Sequence, residues 1–559
     1  MIQKILYNLF QRSSLARFAI IPLAFALVWT AVGITTCVIN RRPVLESMEP
    51  AIAQPGDIVV LRGRHFGKEP GPGWIEIAGN RISSSAYLQW SDATILVQLP
   101  EQTVDGLVHV HNRYGKSNPR IFANRVNIPK EIRQAGDTGL PFISGIDSQR
   151  PEIGKRLILS GQNFGVSRNT STVSFVSSFD SGVPVPAATG TGQFAVECSE
   201  RDFDYELWSD TEIRIRIPDG ASSGSIVIQT DRGISNAFPV QIHNQPGTKQ
   251  FTHPATYVLS AQVDITGITS GDGGMLHLRI PLPLSTPAQR NMRITASSPR
   301  PYMENFRGAI LHQLENLRTG RNERVSHSFL LTNHAILTDV RTQQVRPWSD
   351  TSSPLYLTYT APDYLVPSDN PAISAAAATI APRERNPWLR ARAIYLYIVE
   401  NFSAPAEGSP MRSAVEALET KTADAYERAI LFCALARAAG IPAVPVAGIL
   451  VDAQMNTRPH WWAEFSIENF GWIPVDPALG AGLPIQMRDD DAKTWYFGNL
   501  DNRHIAWSRG WNDQRPLTPG STVVYRPRSY ALQPIWEESA GNLRSYTSFW
   551  TTPAVTGIY

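Results

Sequence analysis

The sequence predicts a multidomain, β-rich chain: an N-terminal transmembrane helix, two small antiparallel β-sandwiches, then an α+β domain with a β-rich unit on its flank. Three observations carry this reading. One uncharged apolar run stands near the N-terminus, a pattern of glycines, tryptophans and alternating apolar residues is written twice, and long helical periodicity begins only after residue 385. The 559 residues correspond to three or four domains at about 150 residues each. Charged residues make up 18%, below the usual value of roughly 25%, while 42 Pro and 39 Gly mark a turn-rich globular protein. Fifty-one Lys and Arg against 49 Asp and Glu leave a formal charge of +2, which excludes the basic field of a nucleic-acid binder. Cys37, Cys198 and Cys433 are too few and too scattered for a disulfide framework or a Cys-based metal site. With 11 histidines and no HExxH or CxxC spacing, no metal and no cofactor is expected.

Residues 1–17 form a short basic segment with Lys4, Arg12 and Arg17 and no acid. Residues 18–40 follow without a formal charge, from Phe18 to Asn40, bounded by Arg17 and Arg41-Arg42. About 20 apolar residues cross a bilayer, so this run is long enough to span it with some tilt. The flanking charges weakly favour a cytoplasmic N-terminus, with the bulk of the chain extracytoplasmic. A cleaved signal peptide usually has a shorter apolar core, of about 7–15 residues. Ile34-Thr35-Thr36-Cys37 loosely resembles a lipoprotein processing box, with an atypical Thr before the Cys. A single-pass anchor through residues 18–40 is the expectation, ahead of a lipoprotein through Cys37.

The repeat follows the anchor. The strand Ile58–Leu61 leads into Gly63-Arg-His-Phe66-Gly67, and 98 residues later Arg156–Leu159 leads into Gly161-Gln-Asn-Phe164-Gly165. Trp90-Ser91-Asp92 before Ile95–Pro100 returns as Trp208-Ser209-Asp210 before Ile213–Pro218, at an offset of 118. The second copy therefore carries an insertion between Val173 and Arg201. Period-two alternation, as in Ile213-x-Ile215-x-Ile217, between turn residues is the signature of a small antiparallel sandwich. The glycines of G-x-x-F-G are expected to supply positive φ beside a buried Phe. Residues 43–128 and 140–243 resemble the IPT/TIG immunoglobulin-like family, whose modules serve as spacers, dimerisation surfaces or binding platforms; a passive stalk is the favoured role.

Residues 250–380 read as a further β-rich unit, with strands at Tyr257–Ile265, Leu276–Pro281 and Phe329–Thr332. The composition then changes. Asn386-Pro387 is an N-cap followed by Pro at the first helical position, opening a helix that ends near Phe402. A second helix covers Ala423–Ala439, closed by Gly440 and Pro442. Val444–Val451 reads as a strand, and His460–Ile467 with Trp472–Val475 as a hairpin around Glu468–Gly471.

The motifs Gly440-Ile441-Pro442-Ala443, His460-Trp461-Trp462-Ala463-Glu464 and Gly471-Trp472-Ile473-Pro474-Val475-Asp476-Pro477 resemble the transglutaminase-like superfamily over 385–480. The unit at 250–380 is similar to one often found before that core; residues 481–559 form a C-terminal extension, in which Trp495–Arg503 through Ser508-Arg509-Gly510 resembles an extension seen in bacterial members. The resemblance implies papain-like chemistry: a Cys at a helix N-terminus attacks an amide carbonyl, a His accepts its proton and an Asp orients the His. His460 and Asp476 match the His and the Asp. The family's G-x-C falls on Ala423-Asp424-Ala425, so Ala425 stands at the nucleophile position with an inert methyl group. Cys433 lies about 12 Å and 80° further along the same helix, inside an apolar run, and is expected to be an inert core thiol. Asp424, Tyr426 and Glu427 are candidates for polar pocket groups, but the favoured expectation is first-turn acids and solvent-facing positions.

The expected function is a membrane-anchored pseudoenzyme whose remnant dyad, His460 and Asp476, belongs to a module binding a peptide, glycopeptide or protein outside the cytoplasm. The alternative is an active thiol amidase, peptidase or transglutaminase with a non-standard nucleophile. A third reading is a purely structural cell-envelope protein.

Overall fold

The computed structural model describes residues 41–559 except 54–55, 69–72, 83–85, 101–102, 125–138, 178–194, 244–245, 486, 488–490 and 518–519, together with residues 26, 29, 30 and 33. The anchor expected at 18–40 and Cys37 lie outside the described residues, apart from those isolated positions. Among the described residues, no helix is long and apolar enough to cross a membrane. The chain forms two compact units, residues 1–132 and 133–559.

The first unit contains two facing sheets. Val44–Glu49, Ile58–Arg64, Thr94–Gln98 and Tyr87–Trp90 pair in that order, and the second sheet is built around Gly106–Asn112 and Trp74–Ile77. Leu45, Val59 and Ile95 from one sheet meet Ile75, Val108 and Phe122 from the other in a common core, as alternation predicts. The second copy repeats this within the larger unit, with Phe142–Ile146, Arg156–Gln162, Glu212–Arg216 and Tyr205–Trp208 in the equivalent order. The repeat extends to single hydrogen bonds. Asn118 Oδ1 accepts from Leu45 N as Asn236 Oδ1 accepts from Ile143 N, each at 2.8 Å. The hydroxyls of Tyr87 and Tyr205 likewise accept from Ile75 N and Val173 N, each at 3.0 Å.

The glycines of the two motifs answer different needs. A Cβ on Gly63 or Gly161 would lie 2.0 Å from the carbonyl oxygen of Val44 or Phe142, so the first glycine is demanded by close backbone approach. Positive φ, expected of both, falls only on the second, Gly67 (99°) and Gly165 (91°). Part of the insertion in the second copy, residues 178–194, lies outside the described residues.

Beyond the second sandwich, Gly247–Ser270 and Glu323–Val340 form a long antiparallel ribbon. The expected β-rich unit stops short of residue 380. Helices α1 (Pro354–Thr360) and α2 (Pro371–Ile380) follow, capped by the side chains of Ser353 and Asn370, each with Pro at the next position. The core continues with α3 (Pro387–Asn401), α4 (Ala414–Thr420) and α5 (Ala425–Ala438). Its sheet consists of β1 (Ala443–Val451), β2 (Thr457–Ile467), β3 (Gly471–Val475) and β4 (His504–Arg509), in the antiparallel order β3-β2-β1-β4. Helix α5 is buried at every position from Tyr426 to Arg437, because the other helices and the sheet enclose it. Ala447, Ala463 and Phe465 face this helical layer, while Val446, Leu450 and Trp462 pack on Tyr496 and Leu500.

Beyond β4, the strands within residues 537–558 fold back onto the unit that precedes the core. Glu537–Ala540 pairs with Met275–Pro281, and Leu543–Trp550 and Ala554–Ile558 both pair with Gly247–Ser270. The core is therefore an insertion in a β structure closed by the last strands of the chain.

Candidate functional site

The hairpin of β2 and β3 places the expected dyad. Asn469 (φ 64°) and Gly471 (φ 92°) supply the left-handed positions of its turn, and the ladder pairs Ala463 with Val475. That register sets Asp476 two residues off the position opposite His460, on the diagonal. His460 Nε2 and Asp476 Oδ2 are 2.6 Å apart, and both side chains are fully buried. Asp476 Oδ1 accepts from the N–H groups of Ala478 (3.0 Å) and Leu479 (2.8 Å), which fixes the carboxylate.

Three further residues complete the site. His504, at the start of β4, brings Nε2 to 3.1 Å from Asp476 Oδ2 and Nδ1 to 2.8 Å from Asp501 Oδ1. Tyr496 donates its hydroxyl proton to Asp501 Oδ2 at 3.1 Å. The result is a buried chain, Tyr496–Asp501–His504–Asp476–His460. Strand β4 can approach β1 because Gly448 has no side chain; a Cβ there would lie 1.9 Å from the carbonyl oxygen of Ile505. A lone Asp and His three residues apart, in a segment read as an extension, carried no signal of this role until β4 paired with β1.

Burial disfavours charge on these groups, yet the pairing outweighs it. His460 and His504 hold the Asp476 carboxyl well below its ordinary range. Burial would lower His504, but Asp501 and Asp476 push it up to about 9, so it is an imidazolium donating from both nitrogens at neutral pH. His460, Asp476 and His504 also offer ligand atoms within 4.8 Å of one another, as a metal site would. Both imidazole Nε2 atoms converge instead on one carboxylate oxygen at 2.6 and 3.1 Å, the geometry of hydrogen bonds.

The other end of the site differs. Ala425 is the first residue of α5 and half-buried, and its neighbour Tyr426 meets Trp461 of β2 edge to face at 5.7 Å. Asp424 caps the helix, its Oδ1 accepting from Glu427 N (3.0 Å) while Glu427 Oε2 accepts from Asp424 N (2.9 Å). Tyr426 and Glu427 were expected to face solvent; both are buried. Glu427 accepts from Arg528 Nη2 and from Arg412 N, each at 2.8 Å, so ion pairing and hydrogen bonding make its burial tolerable.

His460 uses Nε2 for Asp476, and its Nδ1 is buried with no hydrogen-bond partner. Cys433 is fully buried in the helical core and makes no hydrogen bond to that nitrogen; burial pushes its thiol up. Two motif residues lie outside the dyad: Glu464 accepts from Arg509 Nε at 2.6 Å, and the Trp472 indole donates to Asp202 at 2.9 Å.

An α+β core carrying a His–Asp pair on one hairpin and a capped helix start beside it defines a papain-like class of site. Residues 374–477 match the family model of the transglutaminase-like superfamily, so the chain carries a transglutaminase-like domain there. Among solved structures it is similar to a candidate cysteine protease from Cytophaga hutchinsonii, at 15% identity over 56% of this chain and 93% of that one, with a TM-score of 0.38. It is also similar to the periplasmic domain of TgpA from Pseudomonas aeruginosa, at 14% identity over 44% and 92%, TM-score 0.26. A third is gamma-CGTase from Alkalophilic bacillus clarkii, at 19% identity over 36% and 26%, TM-score 0.15. None of the curated proteins matches the sequence.

Proposed function

We propose that the chain is a transglutaminase-like pseudoenzyme that binds a peptide, glycopeptide or protein outside the cytoplasm, held to the membrane through residues 18–40. The two sandwiches, read as IPT/TIG-like modules, act as spacers in this arrangement. The observation that carries the proposal is the composition of the site. A buried His–Asp pair is present, the free nitrogen of the imidazole meets no thiol, and Ala425 begins the helix at the position where the resemblance puts the superfamily's cysteine. A methyl group neither attacks a carbonyl nor transfers a proton. The active-enzyme reading needs a nucleophile beside His460 Nδ1, and Cys433 is not hydrogen-bonded there.

Ala425→Cys tests the assignment. A thiol introduced beside the imidazole is labelled by iodoacetamide at a rate that changes at least about threefold on adding His460→Ala. Labelling indifferent to His460 would show that Ala425 is not the vacated position.

A further inference from the structure

A cavity of about 470 Å³ opens between the second sandwich and the core, both within the larger compact unit. Phe175, Val196 and Asp204 line it from the sandwich, and Glu464, Trp472 and Arg509 from the core. It touches none of His460, Asp476 and Ala425, and its size falls in the range of about 300–1,000 Å³ typical of small-molecule sites.

Arg509 is one of the residues lining this cavity. Its guanidinium lies 3.9 Å from the ring centre of Trp472, and its side chain is 8% exposed. Nε donates to Glu464 Oε2 at 2.6 Å and Nη1 to Asp202 Oδ1 at 2.9 Å, which fixes the plane of the group. Nη2 is buried and has no hydrogen-bond partner. A charged donor left without an acceptor is costly, and a bound group supplying one relieves that cost.

Neighbouring charges indicate what that group is. Asp202 is taken by Arg509 and the Trp472 indole, and Asp219 by Lys249 Nζ at 2.5 Å and Trp472 N at 3.1 Å. Burial and the neighbouring Asp202 raise Asp204 well above the ordinary carboxylate range. Arg201 lines the same cavity, forms no ion pair among the described residues, and has Arg509 and Asp202 for charged neighbours. Glu197 also lines the cavity, but Asp202 and Asp219 are already paired, and two guanidinium groups with unused donors suit a planar anion.

We propose that this cavity binds a small carboxylate-bearing ligand, its carboxylate received by Arg509 Nη2 and the guanidinium of Arg201. The site is independent of the dyad, so its failure and that of the pseudoenzyme reading are read by different experiments. A peptide C-terminus and an acidic sugar both present this chemistry. Isothermal titration calorimetry of the full chain with N-acetyl-alanyl-alanine and with D-glucuronate, each beside its methyl ester, tests the proposal. At least one acid binds with saturation, about tenfold or more tighter than its ester, and about tenfold more weakly to Arg201→Gln; Arg201→Lys lies between. Binding of only one acid identifies the source. Esters binding as well as acids, no saturable heat from either acid, or an unchanged affinity in a folded Arg201→Gln would overturn it. The acid–ester comparison on the unaltered chain holds even where that variant does not fold.

Discussion

The hairpin end and the helix end of the site lie on adjoining elements of one core, yet they have diverged. At the hairpin end, four ionisable groups and a tyrosine form an unbroken buried chain in which Asp476 and Asp501 are each held from several directions. At the helix end, the first position carries a methyl group, and the capping acids Asp424 and Glu427 are tied to Arg528 and Arg412. A thiolate needs the positive end of a helix dipole, and here that end is already neutralised by two carboxylates. On the proposed reading, the contrast sets a buried network whose disruption is costly against a helix start where a methyl group carries no chemistry.

Breaking the hairpin end has the largest effect. Asp476→Ala strands the His504 imidazolium and the His460 ring in the core and costs about 3–5 kcal/mol, measured by denaturant unfolding. An unfolding free energy within about 1 kcal/mol of the parent would mean the chain of residues is not a structural unit. Next comes Glu427→Ala at the helix end, which removes a cap and leaves Arg528 and Arg412 without their buried partner. A loss of about 2–3 kcal/mol is expected, because both arginines retain some access to water.

The pH dependence sharpens the comparison. His504 is protonated up to about 9 against an ordinary 6.5, so its pairing stabilises the fold fully below pH 6.5 and is lost as pH rises through 9. Asp476, depressed below its ordinary 3.8, contributes above that pH and loses its contribution on acidification. The unfolding free energy should therefore fall between pH 6.5 and 9.5 by about 3 kcal/mol, and His504→Gln should flatten that limb. An identical slope in the variant would refute the paired imidazolium. The smallest effect belongs to Asp424→Asn, which keeps the capping oxygen and changes only charge. It costs less than about 0.5 kcal/mol, but in an Ala425→Cys background it speeds iodoacetamide labelling at pH 7.

Much of this architecture was legible because local chemistry announced it. Asn386-Pro387 opened α3, Gly440 closed α5, and alternation with a Gly-bearing turn located the β2–β3 hairpin and hence His460 and Asp476. Helices α1 and α2 carry the same cap-then-Pro signal at Ser353-Pro354 and Asn370-Pro371, where the β-rich run before them masks it. His504 and Asp501 were invisible for a different reason. Their role depends on β4 pairing with β1, a contact between segments more than 50 residues apart that no local pattern encodes. The strands at 537–558 are hidden in the same way, since their partners lie some 260 residues or more earlier. Gly63 and Gly161 were placed correctly but for the wrong reason, because carbonyl proximity cannot be read from a one-dimensional pattern.

Turnover is the most direct test of a site with an acid–base half and no nucleophile. The full chain is incubated with a glutamine-rich protein substrate and a fluorescent amine, and both amide hydrolysis and amine incorporation are followed, alongside His460→Ala. Product formation should be indistinguishable between the two proteins and from buffer. Hydrolysis or cross-linking by the unaltered chain that disappears in His460→Ala would contradict the account.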